Sequence, residues 1–169
     1  MIKLIKLWAL AIVLLSFGTV TFAQVSATAT ATATIITPIT ITKTVDMNFG
    51  NVAVNATAGT VVLTPASTRT VTGGCTLPAV AGTVTAASFT VTGLGTSTFS
   101  ITLPAVATTI TSGANTMTVS TFTSTPTPTG VLAAGTATLL VGATLNVALS
   151  QAAGVYVSGT PFTVTVNYN

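Results

Sequence analysis

The feature that most constrains this fold is a two-residue alternation of apolar and polar side chains over residues 27–49. Odd positions there are mostly Ala, Ile, Val, Met or Phe, and even positions are mostly Thr. Successive side chains of a β-strand point to opposite faces, so this pattern gives one apolar face and one hydroxyl face. Pro38 interrupts the run, and because proline lacks a backbone N–H we expect an edge or a bend there.

The rest of the chain has the same character. Thr, Val and Ile dominate, Gly, Pro and Asn separate the apolar runs, and the three- and four-residue spacing of a helix is missing after residue 23. β-Branched residues suit a pleated strand and lose rotamer freedom in a helix. These patterns predict an all-β fold, a two-sheet β-sandwich of about eight to ten short strands with an extended N-terminal arm. Among the separators, Gly73-Gly74 is predicted to be a turn, and the apolar runs over residues 136–141 and 144–149 are predicted to be two separate strands.

The N-terminus has the three zones of a secretory signal. Lys3 and Lys6 precede an apolar run over residues 7–17, and Ala23 ends a small-residue cleavage site. We therefore predict a signal peptide over residues 1–23, followed by an arm or first strand over residues 24–44 and a β-sandwich domain over residues 45–169. The expected product passes through the periplasm, is secreted to the cell surface or beyond, and keeps no integral membrane span after cleavage, since the apolar run is shorter than the ~20 residues that cross a bilayer.

Ionisable side chains are almost missing. The sequence has 4 Lys and Arg, 1 acidic residue and no His, and the mature chain would keep only Lys43, Arg69 and Asp46. Catalysis needs positioned acids, bases, nucleophiles or metal ligands, so we expect no enzyme, no catalytic or metal-binding residues and no cofactor. The lack of a basic patch also argues against a nucleic-acid partner.

Cys75 is the sole cysteine in the sequence, so no intrachain disulfide can form. Three interpretations stay open for an exported protein: a free thiol, a bridge between two molecules, or a small buried apolar side chain.

Several segments together resemble one family of secreted bacterial proteins, DUF4402. The resemblance covers about residues 45–169 and is most specific in the C-terminal half. It rests on Met47–Val52, Phe89–Gly93, Phe99–Pro104, Val141–Val147 and Phe162–Asn169. It implies secretion and a β-sandwich, and the family's name records that no function is established for it.

A weaker similarity is to chaperone–usher pilin subunits. Phe49-Gly50 near the first strand and the penultimate Tyr168 fit those proteins, which implies an immunoglobulin-like or pilin-like sandwich. Many pilins carry a disulfide, however, and this sequence departs from them because it has one cysteine.

Two segments are candidates for contacts between molecules. An arm that adds as a strand to a neighbour contributes main-chain hydrogen bonds and fills pockets with alternate side chains. Ile35, Ile39 and Ile41 are the expected anchors of such an arm, although the same stretch also fits the first strand of the molecule's own sandwich. The C-terminal strand offers Phe162, Val164, Val166 and Tyr168 as possible contacts.

The expected function is a structural subunit of a cell-surface or extracellular filament, which associates with copies of itself or with related surface subunits. The few charges favour this interpretation, because charged edge residues normally prevent strands from pairing between molecules. The alternative is a monomeric secreted binding module, for carbohydrate or for surface adhesion, with Tyr156 or Phe122 as aromatic platforms. No motif supports carbohydrate as the partner.

Overall fold

The computed structural model describes residues 23–169, and every regular element in that range is a β-strand. The predicted all-β class is therefore confirmed, with thirteen strands instead of eight to ten because three of them are only two residues long. The strands are β1 Thr40–Val45, β2 Asn48–Phe49, β3 Ala53–Leu63, β4 Arg69–Thr76, β5 Val84–Thr85, β6 Ala87–Thr92, β7 Thr98–Thr102, β8 Thr108–Ser112, β9 Asn115–Thr125, β10 Thr129–Val131, β11 Thr136–Val147, β12 Val157–Ser158 and β13 Thr165–Tyr168.

The chain divides into two units, Met1–Thr34 and Ile35–Asn169. In the first unit the described residues, 23–34, contain neither helix nor strand, and their side chains are exposed. The predicted signal peptide falls in this unit and lies, apart from Ala23, outside the described residues. All thirteen strands belong to the second unit.

The long strand β11 organises the large sheet, in which all pairs are antiparallel. One edge of β11 pairs first with β6, over residues 136–141, and then with β3, over residues 143–147. Its other edge pairs with β9, and the order across the sheet is β1-β6-β11-β9-β8-β12, with β4 attached to β3. Two different strands on one edge require β11 to bend between its halves, so the sheet curls instead of lying flat.

Gly142 is the residue at this bend. The β11–β9 register shifts between Gly142 and Thr144, and a Cβ at Gly142 would collide with the backbone of residues 63–65. The close approach of these two backbones is what lets β3 follow β6 along the same edge of β11, and it requires glycine.

One core cluster lies between the large sheet and a three-stranded sheet of order β10-β7-β13. Leu139 and Val141 contribute from β11, Val91 from β6, and Phe99 from β7, all with 0% exposure. Burial of such side chains contributes about 1.5–3 kcal/mol each, so this two-layer packing is a main source of stability.

A second core cluster fills the inner face of the curled sheet itself. Ala143, Leu145 and Val147 continue along β11, and they meet Val61 of β3 and Val119 of β9. The short β2–β5 sheet brings Phe49 against this cluster. Both clusters are therefore lined by consecutive inward-facing residues of one strand.

The outer face carries the hydroxyls that the alternation predicts. Thr40, Thr92 and Thr136 lie side by side across β1, β6 and β11, and the Thr40 and Thr92 hydroxyl oxygens are 2.6 Å apart. The inward neighbours Ile41 and Val91 face the core. This two-faced arrangement confirms the two-residue period.

Two local predictions are wrong. Gly73 and Gly74 lie inside β4 and form no turn, and Gly73, at φ of 62°, lies at an irregularity in the β3–β4 register. Such an irregularity suits glycine because a positive φ costs it little. The apolar runs on either side of Gly142 are also one bent strand, where the sequence suggested two.

We expect Gly142→Ala to lower the free energy of unfolding by about 1–3 kcal/mol, because the added methyl must push apart two backbones. Urea denaturation of the purified protein measures this. Gly159→Ala is the matched control, since a Cβ there meets no atom within 4 Å, and it should change stability by less than about 0.5 kcal/mol. Equal stability of the two variants would contradict the role given to Gly142.

Candidate functional site

The structure separates the three predicted arm isoleucines. Ile39 and Ile41 pack against the first core cluster of their own domain, and Ile41 pairs with Val91 in the β1–β6 ladder. Ile35 is 94% exposed. The domain's own first strand begins at Thr40, and Ile39 packs on the same core from just before it. Residues 23–39 lie outside any strand.

The segment of residues 24–36, here called the arm, keeps the alternation with every odd side chain apolar. Its two branched apolar residues on that face, Val25 and Ile35, are each 94% exposed. They are ten residues apart, so in a fully extended chain they face the same side about 33 Å from one another. Residues 23–42 contain no charged side chain.

Tyr168 fixes the point where the arm meets the domain. Its hydroxyl accepts a hydrogen bond from the Leu94 N–H at 2.6 Å and donates one to the Thr37 carbonyl at 2.9 Å. A Cβ on Gly93 would collide with this hydroxyl. The penultimate residue of the chain thus ties the start of β1 to the turn after β6.

The other predicted C-terminal contacts are mostly internal. Val164 and Val166 are buried in the first core cluster, and the half-buried Phe162 packs on Phe122 with ring centroids 4.9 Å apart. The backbone of β13 pairs with β7 on one side, and no other described strand pairs with it.

Both predicted aromatic platforms are half-buried and have partners within the domain. Phe122 packs against both core clusters. The Tyr156 hydroxyl donates to the Ala152 carbonyl and accepts from the Gln151 side chain, both at 2.8 Å.

A groove of about 630 Å³ opens at one end of the domain. It lies between the segment from Pro104 to Thr111 and the segment from Gly159 to Thr163, and its lining consists of Ala, Val, Pro, Phe, Gly and Thr. No sequence pattern predicts this groove, because residues 104–107 do not alternate between apolar and polar side chains. The one available signal was Val106, a branched apolar residue in a predicted loop.

The three charged residues beyond position 23 have structural partners. Lys43 and Asp46 form an exposed ion pair at 2.7 Å, of a kind that contributes at most about 1 kcal/mol. Arg69 donates from one guanidinium nitrogen to the carbonyls of Phe49 and Asn51, the latter at 2.8 Å. It therefore holds the loop after β2 against β4.

Cys75 is a free, buried thiol in the second core cluster. Burial raises its pKa above the ordinary value of 9.0, because the thiolate would lose its hydration. The open question of its role is thus answered for the folded molecule, in which the side chain packs as a small apolar residue.

Within residues 23–169, no three His, Cys, Asp or Glu side chains lie close enough together to hold a metal ion. In the same range we find no helix of the length and apolarity that a membrane crossing requires.

The arrangement thus joins a self-contained domain, an exposed alternating arm and an uncharged groove. A family model described as a domain of unknown function, DUF4402, matches residues 39–168. The chain therefore belongs to the DUF4402 family. The match begins at Ile39, six residues before the start expected from the resemblance, and so includes β1. No curated protein and no solved structure matches the chain significantly.

We expect Tyr168→Phe to loosen the start of β1, because it removes both hydrogen bonds of the hydroxyl, each with a net contribution of about 0.5–1.5 kcal/mol. Hydrogen–deuterium exchange should accelerate over residues 36–42 and leave residues 150–158 unchanged. Tyr156→Phe is the matched control, and it should have the opposite pattern. If exchange at residues 36–42 is unchanged in Tyr168→Phe, the hydrogen bonds of the Tyr168 hydroxyl do not hold the start of β1 in place.

We expect the Cys75 thiol to react slowly with iodoacetamide at neutral pH in the folded protein and rapidly in denaturant. Since the folded pKa is raised, the contribution of this group to the free energy of unfolding is fully present below pH 9.0 and is lost as the pH rises through the folded pKa. Labelling followed by mass spectrometry, and urea midpoints across alkaline pH, test both statements. Fast labelling of the native protein would show that the thiol is accessible.

Proposed function

We propose that this protein is a secreted, non-catalytic structural subunit of a cell-surface or extracellular filament, which associates with copies of itself by β-strand addition of the arm. The observation that carries the proposal is the arm's exposed apolar face, with Val25 and Ile35 both 94% exposed. An exposed alternating segment is suited to join another sheet through its backbone.

The position of β1 limits which residues can take part in strand addition. Ile39 and Ile41 stabilise their own domain, so moving them to a neighbour would expose the first core cluster. The exposed side chains of Val25 and Ile35 make no comparable contribution to the stability of their own domain. Burying each of them against a neighbouring molecule would contribute about 1.5–3 kcal/mol to the free energy of association. The exchanged segment is therefore residues 24–36, with Ile35 as the one predicted anchor that remains available.

The charge distribution also favours self-association. Charged side chains on edges are a common protection against pairing between molecules. Of the three charges beyond residue 23, Lys43 and Asp46 neutralise each other and Arg69 is held by two carbonyls. The edges of the sheets thus gain little electrostatic protection.

We expect the mature protein to form filaments or large oligomers, and a variant lacking residues 24–34 to remain monomeric. The deletion removes no strand, since the first begins at Thr40, so the urea midpoint should be unchanged at protein concentrations where both proteins are monomeric. Negative-stain microscopy and sedimentation velocity measure the outcome.

A second pair of variants separates side-chain anchoring from arm length. Val25→Thr with Ile35→Thr should weaken assembly strongly, whereas Thr28→Ser with Thr32→Ser, on the hydroxyl face, should not. Filaments that form unchanged without the arm would refute strand addition, and a monomeric mature protein would favour the binding-module alternative.

A further inference from the structure

The groove exists because a strand pair ends early. Val157 and Ser158 of β12 pair with Thr111 and Ile110 of β8, and the ladder then stops. The next residues lead through Gly159 and Pro161 toward β13, and proline has no N–H to donate. The chain thus leaves the large sheet and crosses to the small one.

This departure leaves part of β8 paired on one side. Thr108 and Thr109 pair with β9, and the β12 ladder does not reach them. Their edge opens into the groove, which both residues line. An occupant that satisfies this edge must offer backbone N–H and C=O groups in an extended conformation.

Exposed valines border the same opening. Val106, a groove residue, is 81% exposed, and Val157 is 62% exposed on the strand opposite the groove residue Thr111. The side chains of two residues paired across a ladder point to the same face of the sheet. Val157 therefore points to the same side as the groove residue Thr111. Both valines therefore add exposed apolar surface near the unpaired part of β8.

The arm has the properties that this groove requires. Its alternation is that of an extended segment, with small side chains, Ala27 to Ala33, on the apolar face, and the groove is lined mostly by Ala, Gly and Thr. Neither surface carries a charge, so no ionic group is desolvated when they meet, whereas a charged peptide would lose hydration without gaining a partner.

We propose that this groove is the acceptor site for the arm of a second copy of the chain, which adds as a strand along Thr108–Thr109 and covers Val106 and Val157. The inference rests on the proposed function and specifies the partner surface. Each subunit then presents one arm and one groove at different places, so the contact is head-to-tail and can propagate into a filament.

The test uses the full mature protein with Val106→Lys and Val157→Lys together. Because each substitution places an ammonium where a valine would be buried, we expect the association constant to fall about tenfold or more. Val80→Lys with Val131→Lys is the matched control, since these valines are 75% and 61% exposed at other places. Sedimentation velocity gives the constants, and urea midpoints verify that both double variants fold.

Hydrogen–deuterium exchange then locates the contact. Peptides covering residues 104–111 and 159–163 should gain protection as the mature protein assembles, and they should not do so in the variant lacking residues 24–34.

Each of the other outcomes contradicts one stated part of the proposal. If arm deletion abolishes assembly while the groove variant assembles as well as its control, the groove is not the acceptor and the proposed function stands. If the groove variant loses association that persists without the arm, the occupant is another surface of the second copy. If arm deletion has no effect at all, the proposed function fails and this inference fails with it.

Discussion

The bend of β11 at Gly142 is the constraint on which the rest of the structure depends. Because one strand supplies inward residues to both core clusters, β6 and β3 can share its edge only if the chain turns there. The backbone at residues 63–65 fills the space that a side chain would need. The packing of the two sheets and the curl of the large sheet both follow from this strand. So does the position of β8, which lies beyond β9 in the strand order.

The domain completes its own first core cluster. Ile41 of β1 and the preceding Ile39 pack there, and the Tyr168 hydroxyl ties Thr37 to the turn after β6. The segment that stabilises the domain therefore follows directly after the segment proposed to contact a neighbour. Pro38 lies between the two. Under the proposed function such a chain folds before it associates, because its core does not depend on the arm.

The sequence predicted what depends on side-chain period and missed what depends on backbone proximity. Alternation was enough for the all-β class and for the inward face of β1. It could not show that Gly142 joins two runs into one strand, or that Gly73-Gly74 lies within β4, because glycine marks bends and bulges as well as turns. The groove was equally hidden, since it arises where the β12 ladder ends and not from a motif. Ile35, Ile39 and Ile41 share one face in the pattern, and the packing of Ile39 and Ile41 on the first core cluster separates them from the exposed Ile35.

The remaining sheet edges support the proposal that strand addition takes place at the groove. The edge of β13 lies beside β1, with Tyr168 bonded across to Thr37. The edge strand β10 is three residues long, and β4 carries an irregular register at Gly73, and both features discourage pairing. The short β12 protects its own edge in the same way, but by ending at Ser158 it leaves Thr108 and Thr109 open beside exposed valines. Because the surface carries almost no charge, its strand edges are protected from pairing with other molecules by short length and irregular register. The edge of β8 at the groove lacks that protection.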